Sequence, residues 1–166
     1  EDKLFNAVSA VVNGANGVLF FTWGHDWPSY KQLPSYEETK KVITVLKDAT
    51  QGILGNTINV EFSPTNSVKV MAKQGADGKI YIFTLNLSDN SRIITFKNLP
   101  NGKYEELGQR TAVNSNLNSI SLNFPPWSAR ILKQKINLNG DLDNNGKIDI
   151  FDYNILLQNF TNIFDY

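Results

Sequence analysis

The chain has 166 residues, 41% of them hydrophobic and 11% aromatic, with sixteen basic and sixteen acidic side chains and no cysteine. Apolar content of that order supports a buried core and excludes a generally disordered chain. The missing cysteines exclude disulfides, thiolate metal sites and cysteine nucleophiles, and the absence of a Lys/Arg block interleaved with aromatics argues against nucleic acid as a partner.

The first predicted element is helical. "KLFNAVSAVVNGAN" sets Leu4, Ala7, Val8, Val11 and Val12 at helical spacing, with Gly14 placed to end the helix. The chain opens directly on this segment, so an export signal is expected to have been removed or never present. "GVLFFTW" follows, the longest apolar run; it is strand-sized, too short to span a membrane, and suits a strand buried on both faces. After the loop "GHDWPSYKQLP", Ser35 and Glu38 read as a capping box for a second helix. Its expected buried face is Val42, Val45, Leu46 and Ala49.

From about Thr57 to Lys135 the pattern changes to period two. "INVEF" puts Val60 and Phe62 on one side; "KIYIFTLNLSD" does so with Tyr81, Phe83, Leu85 and Leu87, and "SISLNF" with Ile120, Leu122 and Phe124. The turn signals "GADGK", "LSDNS", "LPNGK" and "VNSNLNS" separate these runs. Several short strands with such turns predict an antiparallel β-sandwich.

The tail from Ile136 carries five aspartates and one lysine, a balance of −4 against +4 for the first 135 residues. Like charges crowded into "GDLDNNGKIDIFDYN" repel, unless a cation sits among them. Calcium takes about six to eight oxygens, supplied in an EF-hand-type loop from positions 1, 3, 5, 7, 9 and 12 with glycine at 6. Counted from Asp141, those positions are Asp141, Asp143, Asn145, the Lys147 carbonyl, Asp149 and Asp152, and Gly146 falls on the turn. Ile148 is the apolar anchor, and an apolar helix through Ile155, Leu156 and Phe160 follows. "DIFDY" at 149–153 returns as "NIFDY" at 162–166, but Leu156 and Phe160 stand where a second loop would need oxygens or turn residues. A solvated Asp/Asn/Gly turn is the plain alternative.

One parallel strand between two amphipathic helices has no ladder partner and no cover for its second face, so it calls for further strands from more chain or from another subunit. In this order the elements resemble the C-terminal portion of a (β/α)8-barrel glycoside hydrolase. Residues 3–14 match the seventh helix, 17–23 the eighth strand and 36–51 the eighth helix. "YIFTLNLSD" and "NFPPWSARILK" belong to an appended β-sandwich. The calcium loop, with aspartate at position 12 and no clear helix before it, resembles a dockerin repeat. The fold class expected is therefore mixed α/β and all-β: a barrel end over 1–55, a β-sandwich over 56–135, and an incomplete dockerin-like calcium module over 136–166.

The resemblance implies a polysaccharide or oligosaccharide substrate, a cohesin-like scaffold or cell-surface partner, and an extracellular or cell-surface location. It puts the catalytic carboxylates at the ends of the fourth and seventh strands, before residue 1. Glu1, Asp2, Glu37 and Glu38 sit instead at helix starts, where acidic side chains meet the helix dipole. No residue of this chain is assigned a catalytic role. Trp23 would close the eighth strand and stack on a sugar ring, with His25, Asp26 and Trp27 lining the same pocket. The plain alternatives are a buried strand tryptophan and a structural His–Asp loop contact. Trp127 reads as a core or interdomain contact before it reads as a sugar platform. The competing class is a non-catalytic structural or adhesive protein whose sandwich assembles into surface fibres.

Overall fold

The computed structural model describes residues 3–19, 34–100, 102–115, 117–135, 148 and 150–164. The chain forms two compact units, residues 1–134 and 135–166.

In the first unit, α1 (Lys3–Val12) buries Ala7, Val8 and Val11, with Leu4 and Val12 at the margin of the same core. It ends as its sequence predicts. Gly14 adopts φ +100°, its N–H bonds the Val11 carbonyl at 2.9 Å, and the Ala15 N–H reaches back to Ala10 at 3.0 Å. These two bonds form a Schellman cap, whose left-handed residue only glycine takes without strain.

The second helix, α2 (Pro34–Asp48), is followed by the short α3 (Thr50–Ile53). The expected capping box is corrected here: the helix starts at Pro34, so Ser35 is already inside it. Proline suits a first helical position because its missing N–H needs no partner there. The Ser35 carbonyl accepts from Thr39 Oγ1 at 2.7 Å and from Lys3 Nζ at 2.6 Å, and Glu38 faces Lys3 at 3.9 Å. Lysine 3 thus joins the starts of α1 and α2. Of the expected eighth strand only Gly17, Val18 and Leu19 are described, and they join neither sheet. The remainder lies outside the described residues.

Among the described residues nine strands follow: β1 (Asn56–Ile58), β2 (Glu61–Ser63), β3 (Val68–Gln74), β4 (Ile80–Asn86), β5 (Arg92–Lys97), β6 (Gly102–Glu106), β7 (Thr111–Ser115), β8 (Ile120–Phe124) and β9 (Ser128–Lys135). They form a six-stranded sheet, ordered β1-β3-β4-β9-β6-β7, and a three-stranded sheet, β2-β5-β8. The "INVEF" segment was expected as one strand. Instead the chain leaves the larger sheet after Ile58 and enters the smaller one at Glu61. Ile58, Val60 and Phe62 still pack on one core, so the period-two pattern survives the change of sheet.

Strand β4 organises the unit, because all seven of its residues are buried. Tyr81, Phe83 and Leu85 meet Val8, Val11, Val45, Ala49 and Ile53 of the helices. Ile80 and Ile82 point the other way, onto Ile94, Phe96, Ile120 and Phe124 of the smaller sheet and its edge. The result is three layers: helices, six-stranded sheet, three-stranded sheet. Gly52 allows a close approach of α3 to the sheet, since a Cβ there would fall on the Tyr81 ring. The Tyr81 hydroxyl donates to Asp77 at 2.8 Å, and burial together with that carboxylate raises its pKa.

A charged pair lies in the same unit. Glu106 on β6 is buried and accepts from Arg130 Nη1 on β9 at 3.0 Å, while the Arg130 guanidinium sits 5.1 Å from the Phe124 ring centroid. Burial raises the Glu106 pKa and outweighs the opposing influence of Arg130. Tyr104, buried on the same strand, is pushed up to about 12 by desolvation.

Two outcomes follow. Phe83→Ala should destabilise the unit by about 3–5 kcal/mol in urea unfolding, because it empties a fully packed site. An Ile93→Ala change on the exposed face of β5 should stay within about 0.5 kcal/mol. For Glu106, a folded-state pKa above the unfolded value means that stability is gained as pH falls and lost as pH rises from the unfolded toward the folded pKa. Wild type should therefore gain stability relative to Glu106→Gln when unfolding is repeated at pH 4.5 instead of pH 7. A relative loss on acidification would show that the Arg130 attraction dominates.

Candidate functional site

Among the described residues, the helical layer leaves an apolar surface uncovered. Val42 and Val45 of α2 and Ala49 just beyond it are buried, Val45 and Ala49 against β4, whereas Ile43 lies roughly 100° around the helix from Val42 and is exposed. Ile43 and Leu46, with Ile53 of α3, Leu54 beyond it, and Val18 and Leu19 of the preceding segment, line a groove of about 590 Å3. Leu19 is 80% exposed, Leu54 66% and Ile43 50%. A surface helix normally confines its apolar residues to one stripe. An uncovered cluster of large aliphatic side chains is the mark of an interaction surface. Leu46 belongs to the helix face expected from the spacing of Val42, Val45, Leu46 and Ala49, and Ile43 does not. Its position off that stripe is the signal that could have found the groove.

The expected sugar-contacting residues Trp23, His25, Asp26 and Trp27 lie outside the described residues, as do the calcium positions Asp141, Asp143, Asn145, Lys147 and Asp149. Among the described residues no group of three or more His, Asp or Glu side chains is placed to hold a metal. Asp152 is described. It lies in the first turn of α4 (Ile150–Phe164), in the second unit, and is 3% exposed. Its neighbours Phe151 and Tyr153 are exposed, and so are Leu156 and Leu157. The helix thus turns a carboxylate inward and aromatic and aliphatic side chains outward.

Trp127 stands in the turn between β8 and β9 and remains 51% exposed. Its ring meets Phe5 of α1 edge-on, with centroids 6.2 Å apart and planes at 67°. It is therefore a contact between the helical segment and the sandwich, and much of the indole still faces solvent.

No protein-family model matches the sequence, and no curated protein does. Solved structures do match by fold. A Bacillus halodurans protein assigned as an α-N-acetylgalactosaminidase superposes with TM-score 0.60 at 15% identity, over 80% of this chain and 31% of its own. A Bacteroides fragilis protein assigned as an α-galactosidase/melibiase gives TM-score 0.59 at 15% identity, over 81% and 28%. The GH27 β-L-arabinopyranosidase of Geobacillus stearothermophilus gives 0.50 at 14% identity, over 61% and 25%. The chain spans about a third or less of each of these proteins. Its β-rich fold is related to that of part of these glycoside hydrolases.

Proposed function

We propose that this chain is the C-terminal portion of a secreted, polysaccharide-degrading glycoside hydrolase whose catalytic carboxylates lie upstream. The observation that carries the reading is the likeness of four-fifths of the chain to about a third of a glycosidase, at TM-score 0.60. The uncovered groove on α2 supports it, because a barrel's last helices are flanked by earlier strands and helices. The remainder of the barrel is the occupant that this apolar surface requires. In that assembly Trp23 closes the eighth strand and stacks on a sugar, and His25, Asp26 and Trp27 line the same pocket. This chain's role is then to complete the barrel and shape the substrate site, with no acid–base step of its own.

The second unit acts as a calcium-dependent attachment module. Asp141, Asp143, Asn145, the Lys147 carbonyl, Asp149 and Asp152 hold one Ca2+, which offsets their mutual repulsion. The buried carboxylate of Asp152 supports this arrangement. The ion supplies charge neutralisation and a fixed loop. The outward Tyr153, Leu156 and Leu157, within about 100° of one another around the helix, then offer an apolar face to a cohesin-like protein at the cell surface.

The chain expressed with its upstream reading frame should hydrolyse glycosides, with α-galactosides the first choice to assay, and the 166-residue chain alone should not. Calcium should raise the melting temperature of wild type and leave that of Asp141→Ala unmoved. Turnover by the short chain would contradict the placement of the carboxylates. A melt indifferent to calcium would contradict the module. A 166-residue natural product that self-associates through the α2 groove would favour the fibre-forming alternative.

A further inference from the structure

The turn around Trp127 is built more firmly than an interdomain contact requires. Trp127 holds φ +47°, a left-handed conformation that costs a bulky residue about 1–2 kcal/mol. Its backbone N–H donates to Ser88 O at 3.2 Å, and its indole Nε1–H donates to Asp89 Oδ1 at 2.7 Å. Both partners belong to the loop between β4 and β5. Asn86, fully buried at the end of β4, fastens the two loops together. Its Nδ2 donates to Asn90 O at 2.9 Å and Pro125 O at 2.8 Å, with Phe124 O farther off at 3.3 Å, and its Oδ1 accepts from Ser88 N at 3.1 Å. Ser88 Oγ accepts from Asn90 N at 3.1 Å, and Ser128 Oγ donates to Pro125 O at 2.7 Å. Phe5 steadies one side of the ring.

Backbone strain, two hydrogen bonds and an edge contact therefore hold a large indole in one orientation while half of it stays wet. A core residue would gain by burying the rest, and a plain turn would not need a tryptophan. Orienting an aromatic ring in advance removes the entropy cost of ordering it when a ligand arrives. Beside it lies a carboxylate already aligned by the indole N–H, and the next two residues of that loop, Asn90 and Ser91, are exposed.

From this arrangement we propose that Trp127, Asp89 and Asn90 form a saccharide-binding platform on the sandwich, separate from the pocket proposed at Trp23. The C–H face of a pyranose stacks on the indole, and ring hydroxyls donate to Asp89 and exchange hydrogen bonds with Asn90. A quaternary ammonium ligand fits less well, because its recognition uses a cage of several aromatic rings and this surface offers one open face. The choice of ligand rests on the glycosidase reading; the rigidity of the platform does not. A platform away from the chemistry would keep the protein on a polymer between cleavage events.

Affinity electrophoresis of the 166-residue chain in native gels cast with galactomannan, starch or xylan tests this without any turnover. Wild type should be retarded in at least one gel, by twofold or more relative to a polymer-free gel. Trp127→Ala should abolish the retardation, Trp127→Phe should retain part of it, and Ile93→Ala, on the exposed face of β5, should leave it intact. In a chain carrying Trp23→Phe and Trp27→Phe, Trp127 is the sole tryptophan, and its emission should shift to the blue when the retarding polysaccharide is added. Absence of retardation in all three gels, equal retardation of Trp127→Ala, or an unmoved emission would overturn the platform. A positive result alongside a longer protein that hydrolyses nothing would leave the platform standing and remove the enzyme.

Discussion

The structure of the first unit depends on strand β4, seven residues with no face left to water. A strand buried on both sides cannot belong to a two-layer sandwich with one solvated surface. Tyr81, Phe83 and Leu85 need the helices, and Ile80 and Ile82 need the smaller sheet. Removing either layer would expose three large side chains or two branched ones, each worth about 1.5–3 kcal/mol when buried. The helical segment and the sandwich are consequently one folding unit: Lys3 ties α1 to α2, Phe5 meets Trp127 in the β8–β9 turn, and Gly52 lets α3 approach Tyr81.

Much of this was readable in the residues, and what escaped has a common cause. Period two found the strands and the correct faces of Tyr81, Phe83 and Leu85 and of Ile120, Leu122 and Phe124, because alternation is a local property. It could not tell that the far side of β4 was also covered, since Thr84 and Asn86 interrupt that face as they would a wet one. It read "INVEF" as one strand because Ile58, Val60 and Phe62 keep facing the same core while the backbone changes partners. The capping box matched a spacing that Pro34 had already overridden. Groove and platform were less legible still. Ile43 becomes conspicuous only once the sheet claims the neighbouring stripe, and the pose of Trp127 depends on a loop almost forty residues away. The expected sugar pocket at Trp23 and every calcium-ligand position but Asp152 lie outside the described residues, so these parts of the reading stand on the sequence and its resemblances.

The features bearing on function have one property in common: each presents apolar surface to something beyond the described chain. On the first unit these are the aliphatic groove of α2 and the indole of Trp127; on the second it is the face of α4 that carries Tyr153, Leu156 and Leu157. Their chemistry differs, and so do the occupants proposed for them. Aliphatic side chains around a helix suit packing against other secondary structure. A lone, fixed aromatic beside a carboxylate suits a sugar. An exposed aromatic and aliphatic helix face suits a protein partner. The proposed enzyme joins these roles, with catalysis upstream, completion of the barrel and substrate retention in the first unit, and attachment in the second.

Native-state hydrogen exchange tests the central claim most directly, that helices and sandwich are held as one unit by the doubly buried β4. If the claim is right, the slowest amides of α1 and α2 open at the same free energy as those of β4 and β9, and Phe83→Ala lowers both sets equally. Helix amides that exchange freely while β4 and β9 remain protected, or a Phe83→Ala change felt by the helices alone, would contradict it.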